Sequence, residues 1–436
     1  MSVLDQTVAL ASPEELLVTE VPATYKAAYV ERGDAERLAG VKNTDVRETL
    51  KVGEVPMPEL APDEALVAVM AAAINYNTIW SARFEPIPGF FFLHKLGQGG
   101  GWDARHDQPK HVLGSDAAGV VVRTGENVKG WSAGDRVVTY PGWADSDRMF
   151  AYDDAVIANT LAWGFETNFG SLAHFAIVKA TQLMKKPTHL TWEESAANTL
   201  CAMTAYRMLV SPRGASFKQG DIVFVWGAAG GLGSYAIQMI RNGGGIAVGV
   251  VNSDLKASLL EELGCDLIIR RDELETDGLK PHKVGKLYRE QVRAAFGEDA
   301  HLVFEHVGAK TFPASVYLLR PGGKVITCGS SSGYQHEFDN RYLWMKGKTI
   351  LGSHGATPQE ARECNRLFDL GQLQPALSKV VPLDDVAEAA HELQANEHVG
   401  KVGVLCMAEE EGLGIEDAEK RAAIGEDKIT MFRRFG

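Results

Sequence analysis

Residues 221–254 read DIVFVWGAAGGLGSYAIQMIRNGGGIAVGVVNSD, and no other stretch restricts the fold so tightly. The run IVFVW is short, apolar and rich in β-branched and aromatic residues. A glycine string follows, then SYAIQMI with helix-compatible spacing, then a second short apolar run. A buried strand, a glycine turn and a helix returning to another buried strand make a β-α-β unit, which requires a parallel sheet. Gly227, Gly230, Gly231 and Gly233 stand where the chain must turn sharply. There a phosphorylated ligand can approach the amides at a helix N-terminus, whose dipole favours negative charge. The plainer alternative is a tight βα turn; the strand before and the helix after favour a nucleotide site.

The alternation continues. KASLLEELG reads as a helix, CDLIIR and HLVFEHVG as strands, TFPASVYLLR as a helix and GGKVITCGS as a strand. The segment 350–356 then leaves the sheet, and the chain returns to helices and short strands such as DDVAEAAHELQA and KVGVLCMA before a charged tail. Upstream, residues 24–32 and 65–75 have strand composition, and 112–140 alternates short β runs with the turn clusters TGEN and SAGD. Residues 94–110, rich in glycine and charge, read as a surface excursion. Thr191 and Glu194 form a capping box that opens a helix leading toward the parallel-sheet region. The expected class is α/β, a Rossmann-type doubly wound parallel sheet domain inserted in an irregular β domain, with boundaries at 1–205, 206–353 and 354–436.

With 436 residues the chain is long enough for two cores. Its net charge of −13 repels phosphate backbones and anionic lipid, which argues against nucleic acid and membrane partners. No apolar run reaches the roughly 20 residues of a membrane span, and the first residues carry acids where a targeting peptide carries bases, so a cytoplasmic location is expected. Cys201, Cys265, Cys328, Cys364 and Cys406 are too scattered for a zinc knot and read as small buried side chains of a reducing compartment.

The strand AVGVV ends where a dinucleotide site reads the ribose. Ser253 and Lys256 suit a 2′-phosphate, with Asp254 expected to cap the following helix and point away. This charge balance favours NADPH over NADH; the alternative is a solvated Lys256. In the strand-end segment Leu113, Gly114, Ser115, Asp116 there is no histidine, and no cysteine lies upstream, so a metal site is not expected.

GSDAAGVVVRTGENVKGWSAGDRVV followed by GAAGGLG resembles the zinc-free branch of the medium-chain dehydrogenase/reductase superfamily, which makes the irregular β domain GroES-like and catalytic. The phrases NYNTIW, FEPIP, RHDQPKHVLGSD, WGFETNFGS, KPTHLTWEESAA, CGSSSGY, NRYLWM, ILGSHGA and GEDKITMFRRFG are similar to those of the crotonyl-CoA carboxylase/reductase family, over essentially the whole chain. The resemblance implies that NADPH delivers hydride to Cβ of a 2-enoyl-CoA and that the resulting enolate attacks CO2, giving an alkylmalonyl-CoA. It implies that Asn77 donates its side-chain amide to CO2 and that His354 acts through a bridging water. It implies that Phe165 shields the site from water, its backbone N–H adding a contact, and that Glu166 orders the polar side. Without the family, Asn77 would suit a strand-end cap, His354 a satisfied histidine and Phe165 a core ring. Relatives suggest a homodimer or homotetramer.

Two positions depart from the family pattern. His174 stands where an acid is common, and Gly355 where a phenylalanine is frequent. The smaller residue enlarges the acyl pocket and points to chains of about six to eight carbons, octenoyl-CoA for example. Lysines and Arg289 in 271–300 could meet the CoA phosphates, a solvated helix face being the plainer reading. The rival functions are an NADPH-dependent enoyl-CoA reductase that protonates the enolate and a non-catalytic NADPH-binding protein.

Overall fold

The structure, a computed structural model, describes residues 11–144, 154 and 159–436. The chain forms two compact units, one of Met1–Leu200, Thr357–Asp369 and Leu377–Arg433, the other of Cys201–Ala356, Leu370–Ala376 and Arg434–Gly436. No described helix is long and apolar enough to cross a membrane.

The first unit is organised on the strand Glu64–Ala73, all of whose residues are buried. Its sequence, EALVAVMAAA, is a continuous run rather than an alternating one, as expected where both faces are covered. It pairs antiparallel with Ala117–Thr124, Phe175–Lys179 and Lys401–Leu405. Small residues let the strands close up: a Cβ on Gly119 would lie 2.1 Å from the carbonyl oxygen of Ala68. Arg136–Thr139, Leu183–Lys185 and Leu377–Pro382 complete a seven-stranded sheet, and Lys51–Pro56, Thr24–Glu31 and Lys110–Val112 form a second, three-stranded one.

Two expectations need correction in this unit. Residues 94–110 are not simply a surface excursion. Their first part ends the helix Gly89–Gly97, and His106 is buried beneath Trp143 and Phe169. The Thr191–Glu194 capping box is present, but the helix it opens stops at Ala196 and a second begins at Leu200. The break falls where the Thr199 hydroxyl turns aside to the Asp116 carboxylate. The charged tail is packed on this unit: Arg421 bridges Glu194 and Glu426, and Phe432 is fully buried.

The second unit holds a six-stranded sheet in the order Leu267–Arg270, Ile246–Val251, Ile222–Val225, Ala300–Glu305, Leu319–Thr327, Thr349–Gly352, with every pairing parallel. The first strand in sequence lies between the second and fourth, which creates the crevice where such sheets bind ligands. Its core joins Ile222, Phe224, Val248, Val303 and Val325 to Tyr288 and Val292 of the helix Pro281–Phe296. On that helix Arg289 pairs with the buried Asp299 at 2.7 Å. His354 and Gly355, expected with the C-terminal return, are carried by this second unit.

Candidate active site

Asn77 lies in the first turn of the helix Tyr76–Arg83. The helix is capped by backbone, Thr78 N–H donating to the Asn75 carbonyl at 3.0 Å, so Asn77 is not spent as a cap. Its Nδ2 donates to Ser115 Oγ at 2.8 Å, and Ser115 Oγ donates to the Trp163 carbonyl at 2.6 Å. A hydroxyl that donates to a carbonyl must accept from its other neighbour, which fixes the amide nitrogen of Asn77 toward Ser115. One N–H and Oδ1 of Asn77 remain for another partner.

The loop Trp163–Ser171 is seated on the segment Leu113–Ser115 by glycines on both sides. A Cβ on Gly164, at φ +71°, would fall 1.9 Å from the Gly114 carbonyl oxygen, and one on Gly170 would fall 2.5 Å from that of Leu113. Only glycine permits such contact between two backbones. Hydrogen bonds then lock the pair: Ser171 N–H to Gly114 O at 3.0 Å, Leu172 N–H to Leu113 O at 2.9 Å and Val112 N–H to Asn168 Oδ1 at 2.8 Å.

Two buried histidines hold the loop from beneath. His111 Nε2 donates to the Thr167 carbonyl at 3.1 Å, and the Asn168 N–H donates to His106 Nδ1 at 3.0 Å. Burial lowers His111 to about 4 and His106, helped by the charge of Arg105, to about 3. Both rings are therefore neutral at pH 7.

Phe165 and Glu166 stand on the rim of this loop, both half-buried. The Phe165 ring lies 6.3 Å from Trp80 and 6.2 Å from Phe92, with Tyr76 edge-on to Trp80 at 5.4 Å, giving a partly exposed aromatic wall beside Asn77. The Phe165 N–H is not available for a ligand as expected, because it closes the turn on the Ala162 carbonyl at 3.1 Å. Glu166 Oε2 accepts from the Ala162 N–H at 2.7 Å, so the carboxylate braces its own loop with one oxygen and keeps the other. Asn77 is thus tied through Ser115 to Trp163, two residues before Phe165 and three before Glu166. His354 lies in the other unit, exposed, just after the strand Thr349–Gly352. Beside it Gly355 has φ +54°, and a Cβ there would meet no atom within 4 Å.

In the second unit the helix Gly231–Asn242 follows Gly230 with no side-chain cap, which leaves its first amides to an outside acceptor. Gly227, at φ +55°, fits beneath the His306 ring, 2.9 Å from where a Cβ would stand, and a Cβ on Gly233 would strike the Gly227 carbonyl oxygen at 2.4 Å. Sequence reasoning missed Glu305, whose buried carboxylate gathers the N–H groups of Val307 and Gly308 and the hydroxyls of Thr311 and Ser315, fixing the loop at the crevice. At the ribose end the expected cap is corrected. Ser253, not Asp254, caps the helix Asp254–Glu262, accepting from the Lys256 N–H at 3.3 Å, while Asp254 pairs with Arg270. Lys256 is half-buried, and its ammonium is pushed below the usual lysine range by burial and then by neighbouring Arg271. An anion here would relieve both effects.

Residues 61–188 match the family model described as alcohol dehydrogenase GroES-like domain, and 231–369 the one described as zinc-binding dehydrogenase. A catalytic zinc does not fit the described residues. Asp116 spends both oxygens on Asn75, Lys401, Thr199 and the Leu200 N–H, and no group of three metal-ligating side chains converges among the described residues. The crotonyl-CoA reductase of Streptomyces collinus is 47% identical, over 97% of this chain and 96% of that protein. The crotonyl-CoA carboxylase/reductase of Cereibacter sphaeroides is 37% identical over 84% and 86%. The solved structure of the 2-octenoyl-CoA carboxylase reductase CinF, in complex with NADP and 2-octenoyl-CoA, superposes with a TM-score of 0.94 at 54% identity, covering 97% of each chain. With a GroES-like β unit, a parallel nucleotide-binding sheet and relatives of this identity over nearly its full length, the chain belongs to the crotonyl-CoA carboxylase/reductase family of the medium-chain dehydrogenase/reductase superfamily.

Proposed function

We propose that the protein reduces 2-enoyl-CoA thioesters with NADPH and directs the enolate so formed to CO2, yielding an alkylmalonyl-CoA. The observation that carries this reading is the Asn77 amide, oriented by Ser115 and left with one unspent N–H beside the aromatic wall of Tyr76, Trp80, Phe92 and Phe165. CO2 is uncharged and a weak acceptor, so only a fixed donor in a water-poor setting can hold it, and protonation of the enolate competes wherever water enters.

NADPH, when bound, supplies the hydride to Cβ of the enoyl thioester. Gly227, Gly230, Gly231 and Gly233 would receive its pyrophosphate at the helix start, and Ser253 and Lys256, with Arg271 alongside, its 2′-phosphate. Asn77 donates to a CO2 oxygen, Phe165 keeps water from the enolate, and Glu166 offers its second oxygen to orient polar neighbours. His354 is proposed as a further donor through water, a role that rests on the family resemblance. The open space at Gly355 suits acyl chains longer than crotonyl, in keeping with the octenoyl-CoA held by the similar carboxylase reductase.

The test is NADPH oxidation with crotonyl-CoA and with octenoyl-CoA, with and without bicarbonate, followed by product mass. A carboxylated product formed faster from octenoyl-CoA is expected. A product that is only reduced at saturating bicarbonate makes the protein a plain enoyl-CoA reductase, and no substrate-dependent NADPH oxidation removes catalysis altogether.

A further inference from the structure

The first unit contains a buried ion pair that the chemistry above leaves unexplained. Lys401, on the strand Lys401–Leu405, and Asp116, directly after Ser115, are 2% and 0% exposed. Lys401 Nζ donates to Asp116 Oδ2 at 3.0 Å, to the Ile74 carbonyl at 2.7 Å and to Asn75 Oδ1. Asn75 Nδ2 returns a bond to Asp116 Oδ2 at 2.8 Å, while Asp116 Oδ1 accepts from the Leu200 N–H at 2.7 Å and from the Thr199 hydroxyl. All three ammonium protons are used, and each carboxylate oxygen accepts two bonds.

A buried ion pair is a weak source of stability, because desolvating both charges offsets much of their attraction and an apolar replacement often serves the fold as well. What this one does is join four chain segments at two points of the site. Asn75 precedes the helix that carries Asn77, and Asp116 follows Ser115, the residue that orients the Asn77 amide. A rotation at either point would carry the Asn77 donor off its line.

We infer that Lys401, Asp116 and Thr199 are positioning residues for the carboxylation step, holding the Asn75–Asn77 turn against Ser115 so that the Asn77 amide faces CO2. This rests on the reading of Asn77 given above. The double variant Asp116→Asn/Lys401→Met removes both charges and leaves no ion unpaired, and Thr199→Val is a near-isosteric change that removes one bond to Asp116.

The measurement is the ratio of carboxylated to reduced product at fixed bicarbonate, alongside NADPH oxidation and thermal melting. The double variant is expected to shift the ratio toward reduced product by about tenfold, as a small misplacement of a reacting partner does, and Thr199→Val by about twofold, with NADPH oxidation retained. An unchanged ratio in folded Thr199→Val and in the folded double variant overturns the inference. So does a ratio that changes only in step with loss of NADPH oxidation. Asn77→Ala separates the two levels: if it shifts the ratio and the network variants do not, the network is structural only, and if it does not, the reading of Asn77 fails first.

Discussion

Gly164 packs against Gly114 so closely that a Cβ on the former would stand 1.9 Å from the carbonyl oxygen of the latter, with φ at +71°. That contact lets the loop bearing Phe165 and Glu166 lie on the segment bearing Ser115. Gly164→Ala meets both a clash and a left-handed backbone, so a loss of about 2–4 kcal/mol is expected in chemical denaturation. Carboxylated product should fall further than NADPH oxidation.

Ser115 is the joint between Asn77 and the Trp163 carbonyl. Ser115→Ala leaves that carbonyl without its donor and the Asn77 amide free to turn, costing about 1–3 kcal/mol of stability. Mass analysis of products should show more reduced and less carboxylated acyl-CoA. An unchanged product ratio with the stability loss alone would limit Ser115 to structure.

The ribose end is tested by Lys256→Ala and Arg271→Ala. Charge-assisted bonds of about 1.5–3 kcal/mol predict that each weakens NADPH binding by roughly ten- to a hundredfold in titration calorimetry. NADH, which lacks the 2′-phosphate, should bind each variant as it binds the parent. An equal loss for both cofactors would place these residues elsewhere.

His106 and His111 make the fold acid-sensitive. Their native values, about 3 and about 4, lie below the ordinary histidine value of 6.5, so the unfolded chain binds protons that the folded chain refuses. Their contribution to stability is complete above the unfolded value and declines as pH falls from there toward the folded values. Each adds up to about 1.4 kcal/mol per pH unit to the slope. Urea denaturation between pH 7 and pH 5 should show a shallower slope for His111→Gln, by about one proton. An identical slope would mean that His111 is protonated in the native state.

Gly355→Phe should narrow chain-length preference, since a side chain there enters open space. The ratio of kcat/KM for octenoyl-CoA over crotonyl-CoA is expected to fall by about ten- to a hundredfold, the range that pocket size controls. The φ of +54° will also lower stability somewhat. If the ratio stands, residue 355 does not bound the acyl chain.

Much of the architecture was legible in the sequence. The strands at 24–32 and 65–75, the glycine turn and the parallel succession after residue 221 follow from local patterns, because burial on both faces, tight turning and helix initiation each demand particular residues at short spacing. The family phrases pointed to Asn77, Phe165, Glu166 and His354. Adjacent residues suffice for such signals, and the site candidates came with the phrases rather than from any contact between them.

Tertiary structure decided the partners. That the Phe165 N–H closes a turn, that Ser253 rather than Asp254 caps its helix, and that Arg289 pairs with Asp299 depend on backbone angles and neighbours that local composition does not specify. The Lys401–Asp116 pair unites residues 285 positions apart, with Asn75 and Thr199 drawn in from two further segments. A buried charge must find its counter-charge wherever the fold brings one, and no rule of short-range spacing says where that will be. The sequence by itself determined the fold class, the glycine turn and the family; only the packed chain determined where the units divide, which donor is oriented and what holds it there.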